Sequence, residues 1–130
     1  MKSSLFVALI AALQGAAGVA LAAAAAHLEA NPLLGTASQF LTLHAAAGLG
    51  LAALLRAMPS FWLAAAAFSL QAGTTLFSAD LAARVYFAGK LFPFAAPIGG
   101  GLTILSWLWL ALWAALAIWR ANSTETPRER

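Results

Sequence analysis

Long stretches of almost purely apolar residues constrain this chain more than any other feature. The first runs from about Ser4 to His27, and a helix of that length, rising about 1.5 Å per residue, crosses a hydrocarbon core about 30 Å thick. It is also longer than the apolar part of a typical signal peptide, which favours an uncleaved helix. Hydrophobic residues make up 63% of the 130 residues and charged residues 8%. A soluble domain of this size could not bury so much apolar surface, so we expect a lipid bilayer around most of the chain.

Breaks in the apolar pattern predict an all-α fold, an antiparallel bundle of four transmembrane helices in one domain over residues 1–119. Asn31-Pro32 ends the first segment, because Pro cannot continue a helix, and Thr36 is a suitable N-cap for the second. The short connection around Pro59 makes its neighbours antiparallel. A polar tail follows over residues 120–130. The predicted helices span about residues 4–27, 36–55, 61–87 and 100–119.

The basic residues predict the orientation of the helices. Five of them fall at the end of the bundle that holds both termini, and two, Arg84 and Lys90, fall at the other end. The positive-inside rule then places the N and C termini in the cytoplasm, as expected for a multi-pass protein of the cell inner membrane. The five are Lys2, Arg56, Arg120, Arg128 and Arg130.

Composition argues against several functional classes. The net charge of +3 comes from scattered basic residues that form no stripe, so nucleic acid is not an expected partner. Zero cysteines exclude disulfides, thiolate metal sites and thiol nucleophiles. No G-x-S-x-G elbow or spaced Ser, His and acid is present, and four acidic residues, two of them in the tail, give no paired carboxylates. We therefore expect a protein that is not an enzyme.

Polar residues inside the segments are the most informative positions, because a charge at mid-helix costs about 2.5 to 3.5 kcal/mol on insertion scales. The third segment is unusually polar, so its polar side chains must face protein or water. His44 and Asp80 fall at matching depths, about 12 and 10 Å below the outer face. The polar groups expected to converge on the outer half of the bundle are His27, Gln39, His44, Asp80 and Arg84.

Three hypotheses account for these polar groups. In the first, Asp80 pairs with Arg84 one turn away and His44 donates to a nearby carbonyl, which only orders the helices. In the second, His27, His44 and Asp80 bind a divalent metal, or the histidines bind a haem, although the two histidines are offset by about 10 Å along the axis. In the third, Asp80 and His44 titrate in a proton or solute pathway, which would require an oligomer.

Small and aromatic residues suggest packing surfaces. Gly15, Gly18, Gly48 and Gly73 would let helix backbones approach closely, within the chain or across a dimer. Three consecutive glycines after a proline cannot continue a regular helix easily, so we expect a hinge at Pro97, Gly99, Gly100 and Gly101. The aromatic residues Trp62, Trp109, Trp113 and Trp119 form either a lipid-facing belt or a surface for a partner subunit.

Several of these motifs together resemble the YgdD-like family of small bacterial inner-membrane proteins of unknown function. The likeness covers roughly residues 15–119 and depends on Ala26-His27, His44-Ala45, the stretch Gly73 to Ser78, and Pro97 to Gly100. The resemblance implies a four-helix membrane protein with two recurrent histidines, and it implies no activity. The family pattern has Gly-Ser where Ala79-Asp80 stands here, so the resemblance does not extend to Asp80.

The sequence thus favours an accessory or assembly component of a larger membrane complex, with no predicted cofactor. Its partners would be the bilayer and other membrane subunits or further copies of the chain. The alternative is a metal, haem or small-solute binding or conducting unit built on His44, Asp80 and His27.

Overall fold

The computed structural model describes residues 1–27 and 31–124, and these residues form four α-helices and no strand. The predicted all-α fold with four helices is therefore confirmed. The helices are α1 (Lys2–His27), α2 (Pro32–Ala57), α3 (Phe61–Tyr86) and α4 (Ala95–Thr124).

Neighbouring helices run antiparallel, because contacts that advance along one helix recede along the next. Gly15 faces Ala45 and Gly18 faces Thr42, and Gly73 of α3 faces Gly99 of α4. α1 packs most extensively on α2, whereas α4 packs closely on α3 alone. The pair α2 and α3 therefore forms the middle of the molecule, flanked by α1 and α4.

Three of the described helices, α1, α2 and α4, are long and apolar enough to cross a membrane. At 26 residues α3 is as long as α1 and α2, but it is more polar. Its polar side chains Gln71, Thr74, Ser78 and Asp80 are each at most 1% exposed. These four side chains face protein, one of the two environments that the sequence predicted for the polar residues of this segment, whereas Thr75 is exposed. The inward orientation of the four explains how a polar helix can lie in the middle of an apolar bundle.

The second helix begins earlier than predicted. Asn31 is its N-cap, with Oδ1 accepting from the Leu33 N–H at 2.9 Å, and Pro32 is its first residue. A proline is well tolerated there, since the N–H that it lacks would have no intrahelical partner. The predicted N-cap at Thr36 was wrong: its hydroxyl donates to the Pro32 carbonyl from inside the helix. Leu28, Glu29 and Ala30, at the predicted break, lie outside the described residues.

The fourth helix also begins earlier, at Ala95, so the predicted start near residue 100 was wrong. The four predicted hinge residues, Pro97, Gly99, Gly100 and Gly101, are all helical. Pro97 lies in the first turn, where no intrahelical bond is lost. The actual break is the connection 87–94, where Ala88 and Phe94 adopt positive φ angles of 53° and 66°. At its far end α4 continues to Thr124, and residues 125–130 of the predicted tail lie outside the described residues.

Close helix contacts occur at three of the four predicted packing glycines. A Cβ on Gly18 would lie 2.5 Å from the Thr42 hydroxyl, one on Gly48 would overlap the Gln71 amide, and one on Gly73 would lie 2.8 Å from the Gly99 carbonyl. A Cβ on Gly15 would make an ordinary contact, 3.5 Å from Ala45. Gly99 is a further packing glycine, because its Cβ would lie 2.5 Å from the Phe77 backbone nitrogen.

Candidate functional site

Asp80 joins α3 to the connection that leads into α4. Its carboxylate accepts two bonds from Arg84, at 2.9 and 2.6 Å, and a third from the Leu91 N–H at 2.8 Å. The side chain of Asp80 is fully buried, whereas that of Arg84 is 31% exposed. The predicted pairing with Arg84 is therefore present, and both carboxylate oxygens have partners within the fold.

His44 links α2 to α4. Its Nδ1 lies 2.8 Å from the Phe40 carbonyl, and its Nε2 lies 3.3 Å from the indole nitrogen of Trp107. A carbonyl only accepts and an indole N–H only donates, so both bonds form together only when Nδ1 carries the proton and the ring is neutral. The imidazole is 3% exposed and packs against the Phe40 ring, with 4.4 Å between centroids. The predicted bond to a neighbouring carbonyl is present.

The other residues of the predicted polar cluster do not join these two. His27 and Gln39 are exposed, at the end of α1 and in the second turn of α2. Among residues 1–27 and 31–124, no three His, Cys, Asp or Glu side chains are arranged to hold a metal ion. His44 and Asp80 each have separate partners, and neither His27 nor Gln39 contributes to the hydrogen bonds of these two residues.

A second polar group, at the centre of the helices, was not predicted as a site. Gln14 of α1 is 4% exposed, and its amide nitrogen donates to the Gln71 carbonyl at 3.0 Å and to the Thr75 hydroxyl at 2.9 Å. It is the one polar side chain between Ser4 and His27, and that isolation is the signal that could have identified it. Gln14 therefore bridges α1 to α3.

Several buried polar atoms of Gln14 and of the neighbouring α3 residues have no hydrogen-bond partner in the described structure. They are Gln14 Oε1, both amide atoms of Gln71, Thr74 Oγ1 and Ser78 Oγ. Such atoms are rare in folded proteins, because each loses its hydration without compensation. Gln71 is packed directly against Gly48, whereas Gln14 and Ser78 border a groove between α1 and α3.

The α1–α3 groove encloses about 510 Å³. Its walls are apolar and carry mostly small or aliphatic side chains. Gln14, Thr75 and Ser78 are its only polar lining residues among those described. The apolar walls are formed by Ile10, Leu13, Ala17, Ala20, Leu21, Leu41, Ala79 and Ala82.

A separate cleft lies between the start of α3 and the second half of α4, and we call it the tryptophan cleft. It encloses about 490 Å³ and is lined by Trp62, Trp109 and Trp113, with Arg120 at its end. The indole N–H of Trp113 donates to the Ser60 hydroxyl at 3.3 Å, and the rings of Trp62 and Trp109 lie 6.0 Å apart. The cleft is thus an apolar surface in which the indole donor of Trp113 already has a partner.

Comparison with known proteins gives one match. No curated protein and no solved structure matches this chain. A family model described as "Protein of unknown function (DUF423)" matches residues 7–100, which include most of α1, all of α2 and α3, and the start of α4. The narrower likeness to YgdD-like proteins stays a prediction. By this match, the chain belongs to the DUF423 family of proteins of unknown function.

Proposed function

We propose that this protein is a non-enzymatic accessory or assembly component of a larger membrane complex, and that the tryptophan cleft receives a transmembrane helix of another subunit. The observation that carries the proposal is the uncovered second half of α4. No residue from Ala111 to Ser123 is buried, and α4 packs closely on α3 alone.

The residues of the cleft suit a protein partner. Trp and Arg are enriched where protein surfaces meet, and Trp62 is 61% exposed at the rim. In lipid no hydrophobic effect drives helices together, so association depends on van der Waals contact with a shaped surface. A cleft between two helices supplies such contact, whereas a smooth helix face supplies much less.

Site-specific photocrosslinking from α4 tests the proposal. Leu112 lines the cleft and is 60% exposed, and Leu105 lies outside it on the same helix and is 63% exposed. A photoreactive amino acid at position 112, introduced in the native host, should capture one membrane protein in stoichiometric amount, and the same amino acid at position 105 should not. Capture of lipid alone at both positions would contradict the proposal.

Cleft substitutions give a second readout in the same cells. Trp109→Ala with Trp113→Ala should abolish co-purification of that partner in mild detergent, whereas Trp119→Ala, which lies outside the cleft, should leave it intact. The same preparation distinguishes the accessory role from the alternative, a unit that binds a metal, a haem or a small solute. A Soret band or a stoichiometric metal that disappears in His44→Ala would favour that alternative over an accessory role.

A further inference from the structure

We propose that the α1–α3 groove binds a neutral, lipid-soluble molecule whose head carries a hydroxyl group. This inference is independent of the tryptophan cleft, which lies between α3 and α4 and shares no lining residue with the groove. It depends on the shape of the groove, on the polar atoms beside it that lack partners, and on its depth in the membrane.

The groove has the size and composition of a small-molecule site. Its volume of about 510 Å³ falls within the range of about 300 to 1,000 Å³ that is typical of ligand pockets. Such pockets are mostly apolar and carry a few polar groups that orient the ligand. Here Gln14, Thr75 and Ser78 are the polar groups, placed together between walls of aliphatic side chains.

The hydrogen-bonding atoms of Gln14 and Ser78 that lack partners determine which head group the ligand needs. The Gln14 amide nitrogen is already used twice, so its Oε1, which has no partner, requires a donor. Ser78 Oγ also has no partner and can both donate and accept, while Thr75 donates to the Gln71 carbonyl. A hydroxyl can donate to Gln14 Oε1 and can accept from Ser78, whereas a head that only accepts would leave Gln14 Oε1 unsatisfied. Both atoms are buried in the ligand-free chain, so the two side chains turn toward the groove when the ligand binds.

The depth of the groove in the bilayer argues against a ligand with a charged head group. Gln14 lies 12 residues after Lys2 and 13 before His27, which is about 18 and 20 Å of helix to either end. It is therefore near the middle of a hydrocarbon core about 30 Å thick. None of the residues that line the groove is charged, so a phosphate there would lack a counter-charge at the depth where charge is most costly.

Photoaffinity labelling of the reconstituted full chain tests this inference. Three probes share one hydrocarbon tail with a diazirine: hexadecanol, its methyl ether, which accepts but cannot donate, and its phosphate ester, which is charged. We expect the alcohol to label groove residues of α1 and α3 about three- to tenfold more than the ether, as the loss of one hydrogen bond in lipid predicts, with still less labelling by the phosphate ester.

Variants of the floor of the groove complete the test. Gln14→Leu and Ser78→Ala should each reduce labelling by the alcohol toward that by the ether, whereas Gln39→Leu, an exposed glutamine of α2, should not. Circular dichroism reports whether each variant is folded, and Ser78→Ala, a small change, keeps the test valid if Gln14→Leu does not fold. Equal labelling by alcohol and ether, labelling unchanged in both floor variants, or a Gln14-dependent cross-link to a second copy would overturn the proposal.

Discussion

The two flanking helices, α1 and α4, are each buried over only part of their length, and they differ in the chemistry of the surfaces that they border. The last buried residue of α1 is Gly18, and the last buried residue of α4 is Leu110. Because α1 begins where α4 ends, the uncovered parts lie toward opposite ends of the bundle. The aromatic cleft follows the uncovered part of α4, whereas the groove with unpaired hydrogen-bonding atoms lies near the middle of α1, between Ile10 and Leu21.

That difference indicates two kinds of recognition. Polar atoms without partners in an apolar medium are satisfied by a specific small group, so the α1–α3 groove favours a ligand with a defined head. The tryptophan cleft offers area and shape, and in our proposal it receives another helix. Substitutions on the two sides should therefore have different consequences for stability and for binding.

The largest expected effect is on the contact between α4 and α3. Gly99→Ala would place a Cβ 2.5 Å from the Phe77 backbone nitrogen, and backbone cannot rotate away. We expect a loss of about 2 kcal/mol in the free energy of unfolding, within the usual range for overpacking, measured by thermal unfolding in detergent.

Alanine substitutions at two other glycines serve as controls for Gly99→Ala. Gly101→Ala, where no atom lies within 4 Å, should cause no loss and should raise stability by up to about 1 kcal/mol, because alanine favours the helix over glycine. Gly18→Ala in α1 meets the Thr42 side chain first, at 2.5 Å, and should cost less than Gly99→Ala because that hydroxyl can rotate. An equal loss in Gly99→Ala and Gly101→Ala would contradict the close approach as the cause, because helix propensity alone favours alanine at both positions.

A smaller effect is expected where Asp80 anchors the connection to α4. Asp80→Asn removes the charge that holds Arg84 but keeps an oxygen for the Leu91 N–H. Since Arg84 is 31% exposed and can find water or lipid head groups, we expect a loss of about 1 to 2 kcal/mol in the free energy of unfolding. Asp80→Ala should cost more, because it also leaves the Leu91 N–H without its acceptor; equal losses in the two variants would contradict this assignment.

The smallest effect on stability is expected on the α1 side. Gln14→Leu removes two hydrogen bonds to α3 but also removes a buried carbonyl that has no partner. These contributions oppose each other, so the free energy of unfolding should change by less than about 1 kcal/mol in ligand-free detergent. A loss of several kcal/mol would show that Gln14 serves to hold α1 and α3 together.

The number of helices and the inward orientation of α3 were predictable from the sequence. Apolar length identifies a helix, and the cost of polar groups in lipid shows that Gln71, Thr74 and Ser78 cannot face it. Three of the four predicted packing glycines, Gly18, Gly48 and Gly73, lie at close helix contacts, because close backbone approach in lipid requires small side chains.

The start of α4 and the composition of the site were not predictable in the same way. Pro97 and three glycines locally indicate a break, but the packing of Gly99 on the Phe77 backbone is a tertiary contact that overrides this tendency. The rise per residue of an α-helix gives the depth of a side chain in the membrane, but it does not show which side of the helix that side chain lies on. In helices that are apolar all round, the sequence does not mark the buried face, so His27 and Gln39 were grouped with His44 although both are exposed.

We propose that all four helices, α3 included, cross the bilayer and that both termini therefore lie on one side of it. Because the chain has no cysteine, single cysteines can be introduced at Ser3, Ser60, Gly89 and Ser123 and labelled with a membrane-impermeant thiol reagent in oriented vesicles. We predict that positions 3, 60 and 123 are labelled from the cytoplasmic side and position 89 from the opposite side. Labelling of positions 3 and 89 from the same side would contradict the four-helix membrane topology.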